Sequence, residues 1–193
     1  MRRAIVPAAV VVLAAAIAIP AVAGTATARA RHDSTVSAAA LDDATIVAIF
    51  DAANTADIET GKLATKRGST KAVRDLGAMF ARDHEAVRQQ GRDLAKKLGV
   101  TPTPPKDDTS AKDQAKVMAT LRAKHGADFD KAYLEHEVAF HKAVIDAVTT
   151  TLLPAIKNPE LKDLVTKVAP AFQAHMLAAQ HLEEQLAEAQ GAK

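Results

Sequence analysis

The sequence predicts an all-α protein, a four-helix bundle with one additional short helix, and three observations carry that reading. Apolar residues recur three and four positions apart through almost everything after Leu41. The 8 prolines and 8 glycines are clustered, which leaves long segments free of helix breakers. Aromatic residues make up only 3% and Trp is absent, so a core must be built from Ala, Val, Leu and Ile, small side chains that suit close helix packing. A chain of 193 residues suits one domain and is short for two.

The first 40 residues stand apart from that pattern. Arg2 and Arg3 precede the apolar run Ala4 to Ile19, and Pro20 breaks it before the small-x-small triplet Ala21-Val22-Ala23. This is the layout of an export signal, and it predicts a cleaved segment over 1–23 with Gly24 as the mature N-terminus. Ala26-Thr27-Ala28 offers a second cleavage triplet. An uncleaved anchor is the competing reading, because Ala4 to Ala23 is nearly long enough to span a bilayer. Pro7, Pro20 and the two triplets favour cleavage. No later segment is apolar enough to span a membrane. Residues 24–40 are rich in Ala, Thr, Ser and Arg and are read as a flexible lead-in, with His32 solvated. The expected location is therefore periplasmic, cell-envelope or secreted, and the helical domain covers 41–190.

Each helix follows from its periodicity and its ends. The first is expected from Asp42 to Lys66, with Ile46, Ile49, Ala53, Ala56, Thr60 and Leu63 on one stripe and Glu59 on its flank. The second is expected to start at Ser69 as N-cap and to end at Gly99 after Lys96 and Lys97. Its stripe is Val73, Leu76, Phe80, His84, Val87, Gly91, Leu94 and Leu98, with Asp83 at the edge. Pro102, Pro104 and Pro105 exclude helix over the next stretch. A short helix is expected over Ser110 to Lys124, ended by Gly126, with Asp128 capping the next.

That fourth helix is expected to run to Leu153-Pro154, with an apolar arc of Phe129, Tyr133, Leu134, Phe140, Val144, Ile145 and Val148. Glu137 and His141 lie inside the arc, one turn apart. The last helix opens on Asn158-Pro159-Glu160, an N-cap, a proline at N1 and an acid in the first turn. Its stripe is Leu161, Leu164, Val168, Phe172, His175, Ala179, Leu182 and Leu186, with a kink expected before Pro170 and His181 facing solvent.

Charge excludes one class of partner. The chain carries 25 basic and 23 acidic residues; without Arg2 and Arg3 the balance is 25 − 2 = 23 against 23. A neutral chain with one Tyr and five Phe lacks both the counterion-release term and the stacking platform for nucleic acid. The absence of cysteine removes disulfides, thiol nucleophiles and Cys-ligated metals, so any metal would be held by His, Asp and Glu. No phosphate loop, nucleophile elbow or metalloprotease motif is present.

What remains is a set of polar residues on inward faces: Glu59, His84, Glu137, His141 and His175, with Asp83 beside His84. Burying such groups is costly unless they are paired, hydrogen-bonded or bound to a metal. A hydrogen-bonded core histidine accounts for any one of them alone. Three on three stripes point to a shared site, whose imidazole and carboxylate donors suit zinc, copper or iron.

At these residues the chain resembles a bacterial exported family known as domain of unknown function 4142, with an expected ferritin-like bundle. The matching pieces are Ala56 to Ala64 around Glu59 and Gly61, Met79 to His84, Tyr133-Leu134 through His141, and Ala169-Pro170 followed by His175. The resemblance spans about residues 42–187. Where the pattern would hold a second Asp-His pair, this chain has Phe140-His141. Ferritin-like di-iron proteins carry Glu-x-x-His on two helices; here Ala81 and Phe172 stand three residues before His84 and His175. The resemblance thus implies an envelope protein of unestablished activity, and a metal-dependent oxidase ranks last. A non-enzymatic metal-binding bundle comes first, and a metal-free structural or interaction module second, with no protein partner identified.

Overall fold

The computed structural model describes residues 41–191. The expected export signal and lead-in lie outside them. Among the described residues the fold is all-helical: α1 Asp43–Arg67, α2 Lys71–Leu98, α3 Ser110–Arg122, α4 Gly126–Ala147 and α5 Pro159–Gly191. No helix among these residues is long and apolar enough to cross a membrane.

The ends explain the lengths. Asp42 caps α1 by accepting from the Thr45 amide at 2.8 Å. Thr70, not Ser69, caps α2 through the Val73 amide at 3.2 Å. Ser69 is committed elsewhere, because its amide and hydroxyl both donate to buried Asp130, at 2.7 and 2.6 Å, tying the α1–α2 turn to α4. Gly99 ends α2 in the left-handed region at φ 65°, as expected. Between α3 and α4 the expected cap is corrected. Extended His125 occupies the N-cap position, Gly126 at φ 56° opens α4, and Asp128 sits in the first turn. Asn158 caps the last helix, accepting from the amides of Glu160 and Leu161.

The helical run that α4 begins ends at Ala155, one residue past the expected Leu153-Pro154. It widens into a π-helical turn over Val148–Leu152 and closes with a turn at Leu153–Ala155. Pro154 has no amide to donate, and in a regular α-helix its ring would meet the carbonyl of Thr150. The wider turn moves that carbonyl, and the hydroxyls of Thr149 and Thr150 bond back to Ile145 and Asp146. The last helix continues through Pro170 without interruption.

The four long helices form a ring of contacts, α1 on α2, α2 on α5, α5 on α4 and α4 on α1, while α3 lies against α1 and α4. The core is layered along the bundle. One apolar cluster holds Ile46 and Phe50 of α1, Ala95 of α2, Val144 of α4 and Val165 and Phe172 of α5. A second holds Ala64 of α1, Val73 and Phe80 of α2, Phe129 and Leu134 of α4 and Ala179 of α5. Between them lies a polar layer, Asn54, Asp57, His84, Glu137, His141 and His175, all buried. Chain order through the layers shows that α1 and α5 run one way and α2 and α4 the other. Each fully buried Val, Leu or Phe on either side contributes roughly 1.5–3 kcal/mol.

The expected stripe of α1 is corrected. Ile46 and Thr60 of that stripe are buried, but the row that faces the bundle centre and α2 is Phe50, Asn54, Asp57, Gly61 and Ala64; Ile49, Ala53, Ala56 and Leu63 are half-buried towards α3. The cause is the close approach of α2. A Cβ on Gly61 would lie 2.7 Å from the Gly77 carbonyl oxygen and 3.0 Å from the Ala81 nitrogen, both backbone atoms. Gly61 therefore faces α2, and the residues one and two turns before it face the centre.

Gly61→Ala tests this contact. Alanine would favour an isolated helix by about 1 kcal/mol over glycine. Here the clash with backbone dominates, so a net loss of roughly 1–3 kcal/mol is expected in urea denaturation. Unchanged or raised stability would show that α1 and α2 can separate freely.

Candidate metal centre

Each helix of the ring contributes to one point. Nε2 of His84 on α2 lies 3.1 Å from Nδ1 of His175 on α5 and 3.1 Å from Oδ2 of Asp57 on α1. Nε2 of His141 on α4 lies 3.4 Å from the same Asp57 oxygen. The facing nitrogens of the three histidines all lie within 4.8 Å of one another.

The far side of each ring fixes its tautomer. Asn54 donates through Nδ2 to the Phe50 carbonyl at 2.8 Å, so its Oδ1 must accept from His84 Nδ1 at 2.9 Å. His141 Nδ1 lies 2.9 Å from the Glu137 backbone carbonyl, which can only accept. His175 Nε2 lies 3.3 Å from Oδ2 of Asp83, whose other oxygen accepts from Arg82 Nε at 2.9 Å. The outward nitrogen therefore carries the hydrogen in all three rings. The three inward nitrogens are lone pairs that face one another, and those of His84 and His141 also face one Asp57 oxygen.

Such an arrangement is repulsive unless something positive lies within it. Four ligands around a tetrahedral zinc at about 2.0–2.1 Å stand about 3.3–3.4 Å apart. The separations of 3.1, 3.1 and 3.4 Å, running from His175 to His84, to Asp57 and to His141, are three of the six edges of such a set and are close to that length. His141 Nε2, both oxygens of Asp57 and of Glu137, and the Tyr133 hydroxyl are buried without a hydrogen-bond partner. Unmet groups at this density call for an ion, a proton or water.

Burial sets the protonation. It pushes His84 down to about 2, helped by repulsion from His141 and His175, and His141 down to about 3. His175 is lowered by burial too, against the pull of Asp83. Half-buried His136 nearby is lowered to about 4 for the same reason. Burial raises Glu137 to about 7; Asp57 is held well above the carboxylate range by burial and then by the charge of Glu137. Tyr133 is raised by burial and by both carboxylates. At neutral pH the imidazoles thus hold the form that binds metal, with no proton to displace. Phe80 stacks on His175 at 4.5 Å, and Phe172 lies 5.3 Å from His84, which keeps water out.

Of the residues singled out from the sequence, His84, His141 and His175 come together. Glu137 stands beside them, its Oε2 3.6 Å from His141 Nδ1. Asp83 is outside the cluster and touches only the far nitrogen of His175. Glu59 is exposed and accepts from Gln114 at 3.1 Å, because the face of α1 that meets the centre is the one carrying Asp57. Asp57 and Asn54 are the two residues the stripe missed. The row Asn54, Asp57, Gly61, Ala64, spaced three, four and three, was the available signal.

Residues 27–182 match the family described as "Domain of unknown function (DUF4142)", and the chain belongs to that family. No curated protein and no solved structure matches the sequence.

The shifts predict how the metal-free chain responds to acid. Folded-state values of His84, His136, His141 and His175 lie below the ordinary 6.5. As pH falls below 6.5 the unfolded chain takes up protons that the folded chain refuses, so stability drops. Asp57 and Glu137 act oppositely: the folded chain keeps their protons above the ordinary carboxylate range, a contribution lost as pH rises, for Glu137 through about 7. Four histidines outweigh two carboxyls. Urea denaturation between pH 6.5 and 5 should show stability falling by roughly 1–3 kcal/mol per pH unit. A flat or rising profile would mean that these rings reach solvent.

Proposed function

We propose that this is an exported cell-envelope protein whose ferritin-like four-helix bundle holds one divalent transition-metal ion through His84, His141, His175 and Asp57. The observation that carries the reading is the meeting of three imidazole lone pairs, two of them within 3.4 Å of one Asp57 oxygen and the third, on His175, 3.1 Å from that of His84. Zinc suits a compact shell of three nitrogens and one oxygen best, with copper and iron as the other metals such donors accept. Export is supported by Arg2, Arg3, the apolar run to Ile19 and the triplet Ala21-Val22-Ala23. The ferritin-like arrangement is supported by the helix directions, since α2 and α4 run the same way and need the long connection through α3.

Holding the ion suits the site better than turnover. The groove between α1, α3 and α4, about 1550 Å³, is walled by Asn54, Phe140 and Phe172 but by none of the four converging side chains. A molecule lodged there would not touch the ion. Ala81 and Phe172 at the positions of the di-iron glutamates also count against an oxidase.

Metal-stripped mature protein equilibrated with zinc should bind one ion per chain. At a hundredfold excess over Kd the ion should stabilise the fold by about 2.7 kcal/mol. Asp57→Asn and His84→Ala should each abolish stoichiometric binding, whereas Glu59→Ala should bind as the wild type does. Failure to bind zinc, copper or iron would leave a metal-free structural module as the reading. Loss of binding in Glu59→Ala would contradict the ligand set.

A further inference from the structure

The three rings differ in what stands behind them. Asn54 behind His84 is 1% exposed, and His141 is backed by the carbonyl of a Glu137 with no exposure. His175 is the most accessible of the three, at 7% against 2% and 0%. Behind it stands Asp83, whose side chain is 35% exposed and whose other oxygen pairs with Arg82 at the surface. Of the four arms that converge, this one runs out to solvent. The groove beside α3 reaches Asn54, which is 1% exposed, but none of the four converging side chains lines it.

On the metal-holding reading above, we propose that His175 is the exchanging ligand: the ion passes in and out beside its ring, and Asp83 is the positioning residue that latches the ring shut. The hydrogen bond from His175 Nε2–H to Asp83 fixes the edge of the ring nearest solvent. Phe80 holds one face at 4.5 Å, so Asp83 is the restraint at the outer end. Turning the ring away opens the shell on the solvent side and leaves the ion on His84, His141 and Asp57. The other two rings have no such freedom, because their outer partners are themselves buried. Outer partners of metal-bound histidines change metal affinity ten- to a hundredfold. A latch differs from a simple affinity effect because its loss speeds movement in both directions.

The test follows zinc uptake and its extraction by a coloured chelator in stopped flow, with bound zinc counted at equilibrium. Asp83→Ala should accelerate both uptake and extraction about tenfold or more, still with one ion per chain, and Asp83→Glu should return both rates towards wild type. Asn54→Ala loosens a ring on the buried side and should speed extraction without speeding uptake. Wild-type rates in Asp83→Ala, or faster uptake in Asn54→Ala, overturn the route while leaving the site intact. If the wild-type chain binds no zinc, the metal-centre reading falls and the route falls with it.

Discussion

The structure depends on one layer in which four helices each turn a polar side chain into the core. Asp57, His84, His141 and His175 come from α1, α2, α4 and α5, and each is nearly or wholly cut off from water. Their contacts fix the rotation of every helix in the ring, since a slip of one residue swings a side chain by about 100°. Apolar packing alone would not do this. Clusters of Ala, Val, Leu and Phe above and below tolerate rearrangement at small cost if volume is kept. The polar layer has no equivalent second arrangement, because each imidazole needs its own outward acceptor.

The close contact of α1 with α2 serves that layer. Gly61 and Gly77 let the two backbones meet with only the methyls of Ala64 and Ala81 beside the contact. Asp57 lies one turn before Gly61, and His84 two turns after Gly77, so the same contact brings carboxylate and imidazole to 3.1 Å. This also explains what the sequence made legible. On α2 and α5 large apolar residues fill one face and small or charged residues the other, so the stripes through His84 and His175 were plain. On α4 the arc through Glu137 and His141 was equally plain. Helix α1 is different. It is touched by α2, α4 and α3, its residues are mostly small, and apolar positions go around it. A stripe drawn through Ile49, Ala53 and Ala56 follows the half-buried face under α3, which put Glu59 near the centre and left Asp57 out. The glycine row marked the right face, but glycine carries no hydrophobic signal. Tautomers were beyond the sequence altogether, because they depend on partners such as Asn54 and Asp83 whose reach is set by packing between helices.

The location of the site along the bundle bears on its chemistry. A layer enclosed by apolar clusters at both ends, and screened by Phe80, Phe140 and Phe172, has a low local dielectric. Interactions with an ion are strong there, and so is the penalty for any charge left unbalanced. A catalytic centre keeps a ligand position open for water or substrate. Here three imidazoles and a carboxylate crowd together from four helices, and the groove beside α3 reaches Asn54 behind His84 but none of the donors.

Charge then bears on which ion the proposed site would take. Without metal, Asp57 and Glu137 avoid two buried negative charges by keeping protons, which is what their raised values express. A proton on Asp57 can serve the lone pair of His84 or that of His141, but not both, and His175 Nδ1 stays unserved. One divalent ion changes each term at once. On the metal-holding reading it would take up the lone pairs together with the Asp57 oxygen, and its two charges would balance two carboxylates among neutral imidazoles. A monovalent ion would leave one negative charge in the core, and a second divalent ion would leave two positive charges there. Glu137 therefore matters even with no bond to the metal: its carboxylate completes the neutral set. On the metal-holding reading, binding would release the carboxyl protons but none from the histidines, so affinity would rise with pH through the range in which Glu137, near 7, and the still-raised Asp57 ionise.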